Sequence, residues 1–137
     1  MSYLIDTHVL SELRRKKPAP KVKQWFAQRP AGTLYLSVLT LGEIRKGIEA
    51  LPHKAHRLVL FDWLETELPA FFAGRILPID LAVADRWGRL VAQAGRPLPA
   101  IDSLLAATAS QHGLTFVTRN VRDVEGLEVQ VINPWDD

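Results

Sequence analysis

Short apolar runs alternate with longer segments of helical period along this chain, and the alternation constrains the fold more than any other feature. Runs rich in Leu, Ile and Val without interspersed polar residues are typical of strands that are buried on both faces. Segments whose apolar residues recur every three or four positions are typical of helices that pack on a sheet. The pattern therefore predicts an α/β domain in which crossover helices join parallel strands.

The apolar runs predict strands over residues 3–5, 34–38, 76–79, 115–118 and 129–132. The segments of helical period predict helices over residues 9–15, 21–28, 41–50, 54–68, 81–94 and 103–112. Gly113 stands where the last helix would end in a left-handed residue. The nine prolines fall between these elements or at their ends, where proline is tolerated. We expect residues 1–137 to form one domain.

The composition excludes several classes of protein. The chain of 137 residues has no cysteine, so thiol catalysis, thiolate metal sites and disulfide scaffolds are excluded. No uncharged stretch reaches the roughly 18 residues that a membrane-spanning helix needs. Asp6 lies where the apolar core of a secretion signal would be, and we therefore expect a cytoplasmic protein without a membrane partner.

The charge balance permits a nucleic-acid partner without demonstrating one. Seventeen Lys and Arg residues against fifteen Asp and Glu residues give a net charge of +2. Residues 14–23 contain six of the basic side chains around two prolines. This basic run is either a solvated helix end and loop or a surface that contacts RNA. The four tryptophans, at 25, 63, 87 and 135, are expected in the core or at an interface, since each lies in or beside an apolar helical face.

Polar residues follow three of the predicted strands or begin a helix, and each has a structural explanation of its own. Asp6 follows the first strand and could cap the next helix. Thr40 and Glu43 have the spacing of a capping box. Asp102 opens an alanine-rich helix, where an acid is favourable. Asn120 and Asp123 follow the fourth strand, and a turn is the default explanation for such residues.

Taken together, these acids predict a site, because the carboxyl ends of parallel strands meet at one edge of the sheet. Unpaired carboxylates about 4 Å apart repel by roughly 4 kcal/mol per pair at an effective dielectric constant near 20, so a positive charge must offset them. With no cysteine and four scattered histidines, the ligands are hard oxygens, which favour Mg²⁺ or Mn²⁺. Metal-assisted hydrolysis of a phosphodiester is the chemistry that such a site supports.

Other chemistries lack their sequence patterns. The chain contains no G-x-S-x-G elbow, no glycine-rich phosphate loop and no G-x-G-x-x-G fingerprint. The segment Asp6-Thr7-His8 lacks the second acid of a haloacid-dehalogenase-type phosphatase, and the acidic pair and lysine of a receiver domain are not evident.

Four segments in a fixed order carry a resemblance to a known family. They are LIDTHVLSE at 4–12, LSVLTLGEI at 36–44, IDSLLAATA at 101–109 and VTRNVRD at 117–123, with FAGRILP at 72–78 and the closing Asn133-Pro134-Trp135 in addition. The chain thus resembles the PIN domain over nearly its whole length, and more narrowly the FitB-like VapC toxins of type II toxin–antitoxin modules. The resemblance implies a PIN-like fold, with a central parallel twisted sheet flanked by helices.

The same resemblance implies a Mg²⁺-dependent endoribonuclease that a cognate antitoxin inhibits. Carried over residue by residue, Asp6 and Asp102 are the principal metal ligands, and Glu43 completes the cluster directly or through water. Thr118 orients a ligand or a water. A homodimer and a larger toxin–antitoxin assembly are also implied.

The fourth acidic position departs from the family pattern. Many relatives have an acid directly after the Thr-Arg pair, where this chain has Asn120, and Asp123 follows three residues later. Either Asp123 supplies the charge or Asn120 acts through its carbonyl oxygen. Arg119 and Arg122 flank this position and are candidates for binding substrate phosphates. The substitution leaves two alternatives open, a PIN-like RNA-binding or regulatory protein without catalysis and a structure-specific DNA nuclease.

Overall fold

A central sheet of parallel strands organises the protein, and the computed structural model describes it over residues 1–136. The strands are β1 (Tyr3–Ile5), β2 (Leu34–Ser37), β3 (Ile76–Leu77), β4 (Thr115–Val117) and β5 (Val131–Ile132). Their order across the sheet is β3-β2-β1-β4-β5, and every neighbouring pair is parallel. The predicted α/β fold with a parallel sheet is therefore confirmed.

Helices cover both faces of the sheet. They are α1 (Thr7–Leu13), α2 (Pro20–Ala27), α3 (Val38–Glu49), α4 (Lys54–Asp62), α5 (Leu68–Phe71), α6 (Leu81–Ala94) and α7 (Ala100–His112). A π-helical segment, Trp63–Glu67, joins α4 to α5, and short 3₁₀ turns cover Ala31–Thr33 and Val121–Val124. Gly113 ends α7 with φ 66°, as expected. Within residues 1–136, no helix is long and apolar enough to cross a membrane.

Two predicted strands extend too far at their carboxyl ends. The strand predicted over 34–38 ends at Ser37, whose hydroxyl accepts the Leu39 N–H at 3.1 Å and begins α3, so that Val38 is helical. The strand predicted over 76–79 ends at Leu77, because Pro78 has no amide hydrogen to continue the ladder.

The strands near the carboxyl terminus are also shorter than predicted. β4 ends one residue before Thr118, which keeps a main-chain bond to the Ile132 carbonyl at 3.0 Å. The strand predicted over 129–132 begins only at Val131, because the Val129 N–H bonds the Leu127 carbonyl at 2.8 Å within a tight turn.

Several helices begin earlier than predicted, while the helix over 81–94 has the predicted bounds. The helix predicted over 9–15 is α1 and starts at Thr7, since Asp6 caps it. The helix over 41–50 starts at Val38, and the one over 103–112 starts at Ala100, after the extended residue Pro99. The helix over 21–28 is shifted by one residue, with Pro20 at its first position, where proline fits well.

The helix predicted over 54–68 is not a continuous α-helix. It widens into the π-helical segment, in which the Leu68 N–H reaches back to the Trp63 carbonyl, and it continues as α5 to Phe71. The wide turn lies immediately before Pro69, which has no amide hydrogen and whose ring crowds the carbonyl four residues earlier. The helical period alone did not reveal this irregularity.

Neighbouring residues of the central strand face opposite halves of the core. Ile5 packs in the cluster that contains Leu34 and Leu36 of β2, whereas Leu4 packs with Leu105 of α7 and the rest of that helix's apolar face. This alternation is the period of two of a β-strand. The tryptophans contribute to the core as predicted: Trp25 is buried, and Trp63, Trp87 and Trp135 are half-buried against it.

The strand order fixes where side chains can converge. The chain proceeds from β1 to β2 and β3 on one side and then returns to place β4 on the other side of β1. The crevice outside the carboxyl ends of the strands at such a reversal is where open α/β sheets bind ligands. Asp6 and Thr118 directly follow the two strands that meet there.

Candidate active site

Asp6 is the most buried acid of the site and accepts a hydrogen bond on each carboxylate oxygen. Its main-chain N–H bonds the Val117 carbonyl at 3.0 Å, which continues the β1–β4 pairing to the edge of the sheet. Oδ1 accepts the Thr7 N–H and Oδ2 accepts the Thr118 hydroxyl, both at 2.7 Å. Asp6 therefore caps α1, as its structural explanation required, and the same contacts fix its orientation in the crevice. Burial raises the pKa of Asp6, and the bond from Thr118 opposes that rise.

Thr118 is fully buried and connects Asp6 to the segment after β4. While its hydroxyl donates to Asp6, its Oγ1 accepts the Asn120 N–H at 3.0 Å. The Asn120 carbonyl in turn accepts the Asp123 N–H at 3.2 Å. Asn120 thus takes part in this network through its main chain, and the resulting turn directs the chain toward Asp123.

Glu43 is held by the first residue of α1 and not by its own helix. Its Oε1 accepts the Thr7 hydroxyl at 2.6 Å, and that hydroxyl also lies 3.2 Å from Oγ1 of Thr40. The capping-box explanation for Thr40 and Glu43 is wrong, because Ser37 caps α3 and both residues lie inside the helix. The first turn of α3 brings Thr40 under the crevice, and the next turn presents Glu43 to Thr7.

Asp102 lies in the first turn of α7 and interacts with the other three acids. Its pKa is raised to about 6, first by burial and then by the charge of Asp6, the carboxyl group of Asp123 and the charge of Glu43. Repulsion of this kind requires carboxylates close to one another. The four acids, carried by four different elements, are therefore neighbours at the carboxyl edge of the sheet.

The donor chemistry of these acids fits a hard divalent cation, although the side chains do not close around a single point. Within residues 1–136, no group of three or more acidic or histidine side chains has an arrangement that could hold a metal ion. The oxygens belong to carboxylates that repel one another, and a cation would relieve that repulsion. To ligate one ion, the carboxylates would have to draw together.

The comparison with protein families agrees with this geometry. A family model described as the PIN domain matches residues 3–124, which contain all four acids. The chain is a PIN-domain protein. The resemblance found in the sequence is thereby confirmed.

Curated relatives and solved structures match this PIN domain over nearly its full length. The VapC ribonuclease Y4jK of Sinorhizobium fredii is 37% identical over 136 residues, which cover 97% of both chains. The toxin FitB of Neisseria gonorrhoeae is 38% identical over 137 residues, covering 98% of this chain and 99% of the relative. The crystal structure of FitAcB from Neisseria gonorrhoeae superposes with a TM-score of 0.92 at 37% identity, covering 97% of this chain and 98% of the other.

The two arginines proposed from the sequence lie on the outside of the PIN domain. Arg119 and Arg122 are exposed. The Arg119 guanidinium lies 4.9 Å from the centre of the Trp135 ring, and its charge contributes to a lowered pKa of Glu12. Arg119 is therefore oriented by the Trp135 ring. Neither arginine forms an ion pair within the part of the chain that the structure describes.

An apolar groove begins near the acids and runs between α1 and the π-helical segment. Its outer part encloses about 310 Å³ and is lined mainly by apolar and aromatic side chains: Leu10, Leu13, Phe26, Trp63, Leu68, Phe71 and Phe72. Its inner part, of about 260 Å³, reaches Thr7 and Glu43. Arg14 lies 5.1 Å from the Trp63 ring centre and lines both parts. All four residues from Arg14 to Lys17 are exposed, and of these only Arg14 lines the groove.

Sequence reasoning missed Thr7 and assigned Thr40 a different role. Thr7 contacts both Asp6 and Glu43, and Thr40 contacts Thr7. The available signal was a hydroxyl residue directly after the acid that follows β1. Hydroxyl residues are common at the start of a helix, so Thr7 did not stand out. Its partner, Glu43, lies 36 residues away in the chain.

Proposed function

We propose that this PIN domain is a metal-dependent endoribonuclease and the toxin of a type II toxin–antitoxin module. The observation that carries the proposal is the placement of acids at the carboxyl edge of the sheet, where Thr118 holds Asp6 and Thr7 holds Glu43, and where burial and then the neighbouring acids raise the pKa of Asp102 to about 6. Acids from four elements are costly to fold together unless a cation offsets their charge. This cost supports a divalent ion as their partner, and we propose Mg²⁺, for which Mn²⁺ can substitute.

In this proposal Asp6, Asp102 and Glu43 hold the ion, and Asp123 adds negative charge beside Asp102. Each Asp6 oxygen accepts one hydrogen bond and keeps a second lone pair for a cation. A bound divalent ion lowers the pKa of a coordinated water and neutralises the charge that develops on a phosphodiester. Thr118 holds Asp6 in place, and Asn120 supports Thr118 through its main-chain N–H.

Substrate RNA is proposed to reach the acids from the exposed side of the segment after β4. Arg119 and Arg122 are cations on that segment and would contact phosphates there. Stacking on Trp135 holds the Arg119 guanidinium in one orientation, which reduces the entropy lost when it binds a phosphate. Cationic side chains on this segment attract the RNA backbone more strongly than a neutral surface would.

A cognate antitoxin is proposed to cover the apolar groove. A solved toxin–antitoxin complex from Klebsiella pneumoniae, 26% identical to this chain with a TM-score of 0.72, supports a protein partner that restrains the activity. The groove exposes aromatic side chains, of which Phe71 is 43% exposed, and such a surface favours protein contact over water. Because the inner part of the groove reaches Glu43, a partner bound there would lie against the acids. A homodimer and a larger toxin–antitoxin assembly complete the proposal.

The test uses purified protein and a gel assay of RNA and DNA substrates in Mg²⁺. Wild-type protein should cleave RNA, whereas Asp6→Asn and Asp102→Asn should reduce the rate by at least about 100-fold, since each removes a charged ligand. Asp85→Asn is the matched control, because Asp85 is exposed and pairs only with Arg89 on α6. Cleavage by both site variants at the wild-type rate would overturn the proposal. Cleavage of DNA in preference to RNA would identify a DNA nuclease instead.

The second candidate is a PIN-domain protein that binds RNA without cutting it. Two observations favour it: Asn120 replaces an acid, and no three acids in residues 1–136 converge on one point. This candidate predicts RNA binding in a filter or gel-shift assay that is unchanged by EDTA, together with intact RNA after prolonged incubation in Mg²⁺.

A further inference from the structure

Thr7 contacts two acids that belong to different elements. Its main-chain N–H donates to Oδ1 of Asp6 at 2.7 Å, and its hydroxyl donates to Oε1 of Glu43 at 2.6 Å. Asp6 directly follows β1 and Glu43 lies in α3. In the described hydrogen bonds, Thr7 is the one residue that joins both carboxylates. The separation of the two acids therefore depends on the conformation of one side chain.

The Thr7 hydroxyl contacts both Glu43 and Thr40, and the number of hydroxyl hydrogens decides which group donates in each contact. A threonine hydroxyl has one hydrogen, and the shorter contact to a carboxylate oxygen is the stronger bond, so the Thr7 hydrogen goes to Glu43. The 3.2 Å contact between Thr7 and Thr40 must then be donated by Thr40. A hydroxyl that accepts one bond donates a stronger one. Thr40, which is fully buried, thus orients and polarises Thr7.

We infer that Thr7 is a positioning residue for the metal-binding acids, with Thr40 as its support. Thr7 sets how far Glu43 stands from Asp6 through its amide and its hydroxyl, and Thr40 fixes the rotamer of that hydroxyl. The inference rests on the proposed function, because it assigns Thr7 a part in bringing those carboxylates to a divalent ion. Groups that orient metal ligands without touching the metal typically change affinity by 10–100-fold when they are removed.

The test is Mn²⁺ binding, measured by the loss of the free-ion signal in electron paramagnetic resonance. Thr7→Val keeps the shape and the main-chain bond but removes the hydroxyl, and it should weaken Mn²⁺ binding by about tenfold or more. Thr7→Ser keeps the hydroxyl and should bind Mn²⁺ about as well as the wild type. Thr40→Val should weaken binding less than Thr7→Val, because it acts only through Thr7.

A matched control and a double variant separate positioning from a general loss of structure. Thr108→Val also removes a buried hydroxyl, one that bonds the Leu104 carbonyl inside α7, and it should leave Mn²⁺ binding unchanged. In a Glu43→Ala background the hydroxyl has lost its acceptor, so adding Thr7→Val should cause no further loss. Unfolding curves of each variant verify that it is folded at the assay temperature.

The outcomes for Thr7 and for the metal site are distinguishable. Weaker binding by Thr7→Val, with recovery in Thr7→Ser and no further loss in the Glu43→Ala background, supports the inference. Equal affinity of wild type and Thr7→Val overturns the inference and leaves the proposed metal site intact. A wild-type protein that does not bind Mn²⁺ overturns both, and only that result removes the metal from the proposed function.

Discussion

The Thr118 hydroxyl donates a 2.7 Å hydrogen bond to Oδ2 of Asp6, although the two residues are 112 positions apart in the chain. Both are buried, and they meet because β1 and β4 are parallel neighbours whose carboxyl ends lie side by side. A buried carboxylate needs such donors to remain ionised. The sheet topology therefore creates the local environment that an acid at this position requires.

Thr118→Val tests that relationship. The variant leaves one Asp6 oxygen without its donor and should lower the free energy of unfolding by about 1–3 kcal/mol. It should also raise the pKa of Asp6 further, since the lost bond opposes the effect of burial. Urea unfolding at neutral pH measures the first effect. Because Thr118 acts on Asp6, the cost should shrink in an Asp6→Asn background, and an unchanged cost there would contradict the account.

Glu12 should make the protein more stable above about pH 4.5 than below it. The main-chain N–H of Ala19 at 2.9 Å is the largest cause of a lowered pKa of Glu12, and Arg15 contributes as well. A lowered pKa in the folded state adds stability above the unfolded value, here 4.5, and that stability is lost as the pH falls through the folded value.

The measurement for Glu12 is urea unfolding of wild type and Glu12→Gln over a pH series. The wild type should be the more stable protein near neutral pH, and the difference should decrease as the pH falls below about 4.5. If the difference in stability between wild type and Glu12→Gln stayed constant across the pH series, the charge of Glu12 would not be its cause.

Asp102 should lower the stability of the metal-free protein. Its pKa is raised to about 6, above the ordinary 3.8, so its ionisation is less favourable in the folded state than in the unfolded state. The cost develops between those two values and is fully present above about pH 6. Asp102→Asn should therefore unfold at higher urea than the wild type in EDTA near pH 7, and this advantage should disappear near pH 4.

Added Mn²⁺ should make the wild type more stable than Asp102→Asn, which reverses the order of stability expected in EDTA. The ion stabilises a protein that binds it in the folded state, so the wild type should gain stability and the variant should gain little. Thermal melts with and without Mn²⁺ measure the difference. An equal shift of both proteins would contradict a role for Asp102 in binding the ion.

Phe71 should contribute to the affinity for the antitoxin and not to the rate of RNA cleavage. Its ring lies 6.0 Å from that of Phe26 in the outer part of the groove and is remote from the acids. Phe71→Ala should weaken binding of the cognate antitoxin by about tenfold or more in calorimetry, as the loss of a buried aromatic contact does, and should leave RNA cleavage unchanged. Leu81→Ala is the control, since Leu81 is exposed at the start of α6 and does not line the groove. Similar losses from both variants would place the antitoxin elsewhere.

The sequence predicted the elements that determine their own structure locally. Apolar runs located all five strands, and the apolar period predicted the bounds of the 81–94 helix. In the structure Asp80 caps that helix and Gly95 ends it. The predicted element boundaries were wrong where one residue overrides the hydrophobic pattern. The Ser37 hydroxyl begins α3 inside a predicted strand. Pro69 follows a π-helical turn that the apolar period did not indicate.

The sequence indicated which acids belong to the candidate site, but not the hydrogen bonds that hold them. Asp6, Glu43 and Asp102 could be chosen because the ends of parallel strands must meet at one edge. The bond from Thr7 to Glu43 joins residues 36 positions apart, and its existence depends on how α3 packs against α1. Which residue completes the fourth position stays a prediction, with Asp123 beside Asp102 and Asn120 bonded through its main chain.

The most direct test of the central claim is cleavage of RNA by the purified wild-type protein, followed over time in Mg²⁺ and after addition of EDTA. The account predicts that fragments accumulate in Mg²⁺, that EDTA stops their formation, and that renewed Mg²⁺ restores it. Cleavage at an undiminished rate in EDTA would contradict the claim that the four acids act through a divalent ion. Intact RNA in Mg²⁺ throughout would contradict the claim that the protein is a nuclease.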